Sequence, residues 1–194
     1  VEYIYNNKPV GMDPKSFSRN EKYINNLDKL GDNNLLIIKN FLSKDICNDL
    51  IMNVELIKKQ PNLKFWDQIM YSNSTIAKKI NDFIPKIKEI IKDKYGIDVA
   101  EKRDPHIAKW SPGMHLDTHV DDLSLNTSKN HISTVIYLNN EYTGGEIFFP
   151  KQNKRISPDP GDLIIFPGNY NYPHEVVEIL SGNRYTIPTW FRYA

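Results

Sequence analysis

Trp110-Ser111-Pro112-Gly113-Met114-His115-Leu116-Asp117-Thr118-His119-Val120-Asp121 is the stretch on which the reading of this chain turns. It contains two His-x-Asp pairs, His115/Asp117 and His119/Asp121. In a β-strand, residues i and i+2 point to the same face, so either pair can present an imidazole and a carboxylate to one ion. A strand rises about 3.3 Å per residue, which separates the two pairs by about 13 Å, so both cannot serve the same ion. A further imidazole lies far along the chain, in Tyr172-Pro173-His174-Glu175-Val176. Two imidazoles and one carboxylate are the ligand set of a facial triad, which holds non-haem Fe(II) on one side and leaves the remaining positions open. The third ligand must come from a strand that the fold brings alongside.

Outward from this stretch the sequence is strand-like. Short apolar or alternating runs are separated by Pro, Gly, Asn and Asp, an all-β signature. The strands expected are 105–111, 115–120, 131–138, 145–149, 154–157, 162–166, 173–179 and 184–192. Such a set suits a double-sheet jelly roll. Gly144-Gly145 precedes no helix and reads as a turn with close backbone approach rather than a phosphate cradle. Upstream the period changes. Leu35-Leu36-Ile37-Ile38 reads as a short buried strand. Ser43 caps a helix carrying Ile46, Leu50, Val54 and Ile57, which Gln60-Pro61 ends. Ser74 opens a second helix with Ile76, Ile80, Phe83, Ile84, Ile87 and Ile91 on one stripe. Pro85 should kink or break it, and Gly96 closes it. Residues 1–34 read as an irregular polar arm, 35–98 as helical support and 99–194 as the jelly-roll core of a single domain. The class is therefore mainly β with N-terminal helices (α+β), the helices packed on one sheet.

Composition excludes several functions. The chain has 194 residues, 40% of them hydrophobic and 25% charged, enough for one core. A net charge of +1 makes no electrostatic case for nucleic acid or a membrane surface as partner. One cysteine, Cys47, excludes an internal disulfide and a thiolate cluster, and suits a reducing, cytoplasmic compartment. No apolar run reaches the length of a membrane span, and Val1–Tyr5 shows no signal-peptide pattern.

Four motifs accompany the His and Asp residues: Ser133-Thr134-Val135-Ile136-Tyr137-Leu138-Asn139, Gly144-Gly145-Glu146-Ile147-Phe148-Phe149-Pro150, Pro160-Gly161-Asp162-Leu163-Ile164-Ile165-Phe166 and Gly182-Asn183-Arg184-Tyr185-Thr186-Ile187. In this order they resemble the Fe(II)- and 2-oxoglutarate-dependent dioxygenases, specifically the prolyl 4-hydroxylase branch, from about Trp110 to Trp190. Pro173–Phe191 looks most like the hypoxia-sensing prolyl hydroxylases. The resemblance implies a double-stranded β-helix and an activity that couples oxidation of 2-oxoglutarate by O2 to hydroxylation of a proline-containing peptide, with ascorbate as reductant. It favours His119, Asp121 and His174 as metal ligands, because Trp110 and Gly113 stand at the offset the family uses before its His-x-Asp. His115 and Asp117 are then rim residues.

Arg184 would anchor the far carboxylate of 2-oxoglutarate, since a guanidinium fork binds a carboxylate in bidentate fashion and stays charged. Tyr137 stands where that branch has a cosubstrate-binding phenol. Pro188 departs from the pattern, which there offers a hydroxyl; Thr186 and Thr189 are the nearest substitutes. Trp110, Asp122 and Trp190 are candidate substrate contacts, although a large aromatic such as Trp190 is more often core. Asp122–Asn130 is polar and read as a substrate lid or a plain solvated loop. His106 and His131 read as structural or surface residues. Two rivals stand beside the prolyl reading. One keeps the chemistry and acts on a free amino acid, another protein side chain or a small metabolite. The other is a non-catalytic jelly-roll binding module; a cupin-like or zinc-hydrolase site would need a general base that is not seen.

Overall fold

The computed structural model describes residues 4–5, 8–9, 34–57, 64–65, 68–101, 106–122 and 131–194. Of the N-terminal arm it describes a short antiparallel pair, β1 (Ile4–Tyr5) and β2 (Lys8–Pro9). The expected strand at Leu35–Ile38 is β3 (Leu36–Ile38).

Ser43 caps α1 (Lys44–Glu55), its Oγ accepting the Ile46 N–H at 3.4 Å. Asp45 in the first turn adds a favourable charge at the positive end of the helix. The buried stripe of α1 is Cys47, Leu50 and Val54 rather than one beginning at Ile46, which is 39% exposed. The helical period explains the shift: Cys47, Leu50 and Val54 stand at i, i+3 and i+7, and Ile46 falls at the margin of that face. Pro85 breaks the second helical stretch in two. α2 (Ser74–Asn81), capped by the Asn73 side chain, ends first, and α3 (Ile84–Tyr95) begins with Pro85 in its opening turn, where the missing N–H costs no hydrogen bond. Gly96 closes α3 at φ +67°, in the left-handed region.

The remaining strands are β4 (Lys64–Phe65), β5 (Gln68–Tyr71), β6 (Val99–Glu101), β7 (Ile107–Trp110), β8 (Leu116–His119), β9 (Ile132–Tyr137), β10 (Tyr142–Gly144), β11 (Ile147–Phe149), β12 (Lys154–Ile156), β13 (Leu163–Pro167), β14 (His174–Val176), β15 (Ile179–Gly182) and β16 (Arg184–Tyr193). They form an eight-stranded sheet ordered β3-β13-β9-β16-β7-β5-β4, with β6 also paired to β16, and a four-stranded sheet ordered β12-β11-β14-β8. A separate pair joins β10 and β15. This is the two-sheet jelly roll. The expected single strand over 173–179 is divided: β14 pairs with β8 and β11, whereas β15 pairs with β10. The change of partner occurs where Gly144 presses on the intervening backbone. A Cβ at Gly144 would lie 2.0 Å from the Glu178 carbonyl oxygen, so only glycine admits this approach.

The long strand β16 shows how the core is partitioned. Tyr185, Ile187 and Phe191 belong to a buried cluster that also holds Cys47, Leu50, Ile76, Ile80, Ile87 and Ile91 of the helices. Arg184, Thr186, Pro188 and Trp190 alternate with them and line a cavity on the opposite face. That cavity lies between two smaller clusters, one containing Tyr137, Phe149, Phe166 and Tyr172, the other Ala108, Trp110, Val176 and Ile179.

Candidate metal centre

His119 is the last residue of β8, and its Cα partner across the ladder is His174, the first residue of β14. Facing positions on paired strands bring side chains to about 5 Å. The two rings lie 4.3 Å apart, centroid to centroid. Asp121 lies beyond the end of the strand, in the turn that follows β8. The sequence argument that His119 and Asp121 share one strand therefore needs correction. A turn delivers the carboxylate, and other groups hold it there. Ser133 on β9 donates a short side-chain hydrogen bond to Asp121 Oδ2, and the Asp122 N–H donates to the Gly168 carbonyl at 3.0 Å. The outcome is convergent. Asp121 Oδ1 lies 3.7 Å from His119 Nε2, and Oδ2 lies 3.8 Å from His174 Nε2. One ligand atom from each residue falls within 4.8 Å of the others, the only such set of at least three His, Cys, Asp or Glu side chains among the described residues.

The imidazoles are oriented by the same device. His119 Nδ1 lies 2.8 Å from the Asp117 carbonyl and His174 Nδ1 lies 3.1 Å from the Tyr172 carbonyl, each two residues upstream. A carbonyl only accepts, so Nδ1 carries the proton and Nε2 keeps its lone pair for an ion. Burial, reinforced by the neighbouring His119, pushes His174 down to about 4 despite the opposing pull of Asp121. Its ring is thus neutral near pH 7, as a metal ligand requires. Tyr172 is itself clamped. Its hydroxyl accepts the Asn34 N–H at 3.2 Å, and the Asn34 carbonyl accepts the Tyr95 hydroxyl at 2.7 Å.

Arg184 opens β16 and pairs with Trp110 on β7. It is 2% exposed. Its Nη2 donates to the Tyr137 hydroxyl at 3.0 Å, and the guanidinium lies 4.9 Å from the Tyr137 ring centre and 5.4 Å from that of Trp110. Its Nε has no hydrogen-bond partner. A buried cation with an unmet donor is costly unless an acceptor arrives. The metal-ligand set, Arg184, Trp110 and Trp190 all line the one cavity. A cation at one end of that cavity and a metal-binding set at the other suit an acid with a chelating head and a distal carboxylate.

A profile of the 2OG-Fe(II) oxygenase superfamily matches residues 105–192, which contain every one of these groups. Over that segment the chain is similar to the superfamily. Its relatives include a putative prolyl 4-hydroxylase of Acanthamoeba polyphaga mimivirus, 23% identical over 82% of this chain and 74% of the relative. A PKHD-type hydroxylase of Prochlorococcus marinus is 30% identical over 61% of this chain and 55% of its own length. Among solved structures, the viral collagen prolyl hydroxylase of Paramecium bursaria Chlorella virus-1 in its 2OG complex superposes with a TM-score of 0.67 at 23% identity, covering 84% of this chain and 98% of that one. A Trichoplax adhaerens prolyl hydroxylase, in complex with a hypoxia inducible factor peptide, does so with 0.67 at 19% identity over 94% of both chains. The family match and the named relatives indicate an oxidoreductase that uses Fe(II), 2-oxoglutarate and O2, with ascorbate the customary reductant of prolyl hydroxylases. The His-Asp-His donor set and the unmet Arg184 donor fit those two groups.

The oxygenase frame also sorts the other candidates. Trp110 and Trp190 both line the cavity, and both are buried, so Trp190 combines the two roles weighed for it. Asp122 is not among the lining residues. Thr186 shares the cavity face of β16 with Arg184, and Thr189 does not. His115 and Asp117 are exposed. His106 is buried and stacks on Trp190, and His131 Nδ1 accepts the Tyr193 N–H. Residues 123–130, most of the proposed lid, lie outside the described residues. Sequence reasoning did not single out Ser133 or Tyr142, and it gave Gly145 a turn role without linking it to Arg184. Ser133 alternates with the outward-packing residues of β9, which was a usable signal. Tyr142 and Gly145 crowd Arg184 from β10 and the turn after it: a Cβ on Gly145 would lie 3.2 Å from Arg184 Cδ and from Tyr142 Cε2. That contact is long-range and carries no local pattern.

Proposed function

We propose that this oxygenase is a prolyl 4-hydroxylase acting on proline within a peptide or protein. His119, Asp121 and His174 hold Fe(II), and Arg184 with Tyr137 holds the distal carboxylate of 2-oxoglutarate. The observation that carries the reading is that a His-Asp-His set and a buried Arg184 with an unmet donor line one cavity. The prolyl part is supported by relatives named as prolyl hydroxylases and by the motif order from Trp110 to Trp190. Bound Fe(II), with 2-oxoglutarate and O2, supplies the oxidising power to hydroxylate an unactivated C–H bond. The protein's own contribution is orientation. The Asp117 and Tyr172 carbonyls hold the two imidazoles, Ser133 holds Asp121, and the apolar walls from Phe166, Ile147 and Val176 exclude water. Trp190 and Trp110 form walls against which a proline ring packs, with Asp122 at the rim.

Residues 35–194 are proposed as one domain in which the helices buttress the larger sheet, with 1–34 an arm. Among the described residues no helix is long and apolar enough to cross a membrane. The buried thiol of Cys47 and a ferrous site suit the reducing cytoplasm. The test is mass spectrometry of a proline-containing peptide library after incubation with Fe(II), 2-oxoglutarate and ascorbate. One oxygen is gained on proline, with matching succinate. A free amino acid hydroxylated with tight coupling, while every proline peptide stays unmodified, overturns the peptide reading and keeps the oxygenase. Absence of succinate with any substrate supports a binding module instead.

A further inference from the structure

Pro188 leaves a gap in the donor set. It lines the cavity on the Arg184 face of β16, where it offers no hydrogen-bond donor. Directly across the strand pair, Trp110 is the ladder partner of Arg184 and lines the same cavity. Trp110 is 3% exposed, and its indole Nε1 is buried without a hydrogen-bond partner. Buried indole N–H groups usually find an acceptor. The cavity thus contains two adjacent side chains, each with an orphaned donor, Arg184 Nε and Trp110 Nε1, the guanidinium lying 5.4 Å from the indole ring centre. The neighbouring Tyr137 hydroxyl is already engaged as acceptor by Arg184 Nη2, which leaves its own proton to give. Arg184 Nε, Trp110 Nε1 and the Tyr137 hydroxyl thus offer three donors at this end of the cavity, which suits an anion with several acceptor oxygens. Resting on the cosubstrate reading above, we propose that the Trp110 indole N–H donates to the distal carboxylate of 2-oxoglutarate, supplying the contact that Pro188 cannot.

Trp110 is then a cosubstrate-binding residue as well as a wall for the peptide. A hydrogen bond to a charged group is strong when both partners are desolvated, so its loss is expected to weaken binding about tenfold or more. The experiment uses zinc-loaded protein, which is diamagnetic and turns nothing over, with its three tryptophans 15N-labelled at the indole. Single Trp→Phe variants at 66, 110 and 190 assign the three indole N–H signals. Addition of 2-oxoglutarate should shift the Trp110 signal downfield and slow its exchange with water. Calorimetry then compares 2-oxoglutarate with 2-oxopentanoate, which has the same chelating head and no distal carboxylate. Trp110→Phe should weaken 2-oxoglutarate about tenfold and leave 2-oxopentanoate unchanged. Equal weakening of both acids, or an unmoved Trp110 signal in the unsubstituted protein, overturns the proposal and reduces Trp110 to packing. If Trp110 fails in this way while Arg184→Ala still loses 2-oxoglutarate, the cosubstrate reading stands. If Arg184→Ala also binds normally, both fall.

Discussion

The two His-x-Asp pairs of this chain have the same spelling and almost the same local geometry. In one, His115 Nε2 lies 3.6 Å from Asp117 Oδ1; in the other, His119 Nε2 lies 3.7 Å from Asp121 Oδ1. Their surroundings differ completely. The side chains of the first pair are 49% and 59% exposed, and those of the second 9% and 5%. His119 has His174 as its ladder partner, whereas His115 precedes β8 and joins no ligand cluster among the described residues. Proximity of an imidazole and a carboxylate is therefore not what makes a metal centre. A third ligand across the ladder, fixed tautomers and dehydration make it. Even the outer pair serves the inner one, since the carbonyl that holds His119 belongs to Asp117.

The sharpest way to break this comparison is to delete the inner pair. His119→Ala or Asp121→Ala should abolish turnover and bound iron, read as succinate release and metal content. Retention of iron by His119→Ala, together with its loss in His115→Ala, would reverse the assignment. The next largest effect concerns the other end of the cavity. Arg184→Ala should weaken 2-oxoglutarate roughly 100-fold while iron stays bound, because a charge-assisted bidentate contact is removed and no ligand is touched. Arg184→Lys should retain part of the affinity, and a titration showing no change in either variant would remove Arg184 from the site.

Smaller effects test what distinguishes the inner pair from the outer. Ser133→Ala frees Asp121 from its hydrogen bond and should cost about tenfold in metal affinity, the lower end for a group that orients a ligand. Equilibrium dialysis against a competing chelator measures it; unchanged affinity would mean that the turn alone positions Asp121. Burial also predicts a pH dependence in the metal-free protein. His174 is held at about 4 when folded, below the ordinary 6.5, so the unfolded chain takes up its proton first as the pH falls. Stability should therefore drop as pH goes from about 6.5 to about 4, through this group, and level off below. His174→Gln should flatten that part of a denaturation series, whereas His115→Ala should not. The smallest effect expected is that of His115→Ala on catalysis, with most of the turnover retained.

Much of this was legible from local signals. Ser43, Pro85 and Gly96 mark helix ends by short-range chemistry, and each does so in the structure. The eight strands expected each have a counterpart, with 173–179 divided between two. The additional strands, β1, β2, β4, β5, β6 and β10, were not legible. Each is two to four residues long and too short to show a period; the partner strand defines it. Thr186 and Thr189 are the same residue type in the same strand. Only the alternation of β16, anchored by Arg184 on the cavity face, separates them. Trp190 was weighed toward the core for a sound general reason, and the same alternation places it beside the cavity.

By itself the sequence determined the chemistry on offer: two His-x-Asp pairs, one distant His beside a proline, one arginine in a strand, and runs of period two around them. Only the tertiary structure decided which pair faces His174, that Asp121 arrives from a turn, and that Trp110 and Arg184 stand side by side. The physical reason is strand register. Side chains alternate with a period of two, so a slip of one residue would turn His119 away from His174 and Arg184 out of the cavity without changing a single local propensity. Register is set by what each strand buries against its neighbours, and that information is spread over the whole sheet rather than held in any one motif.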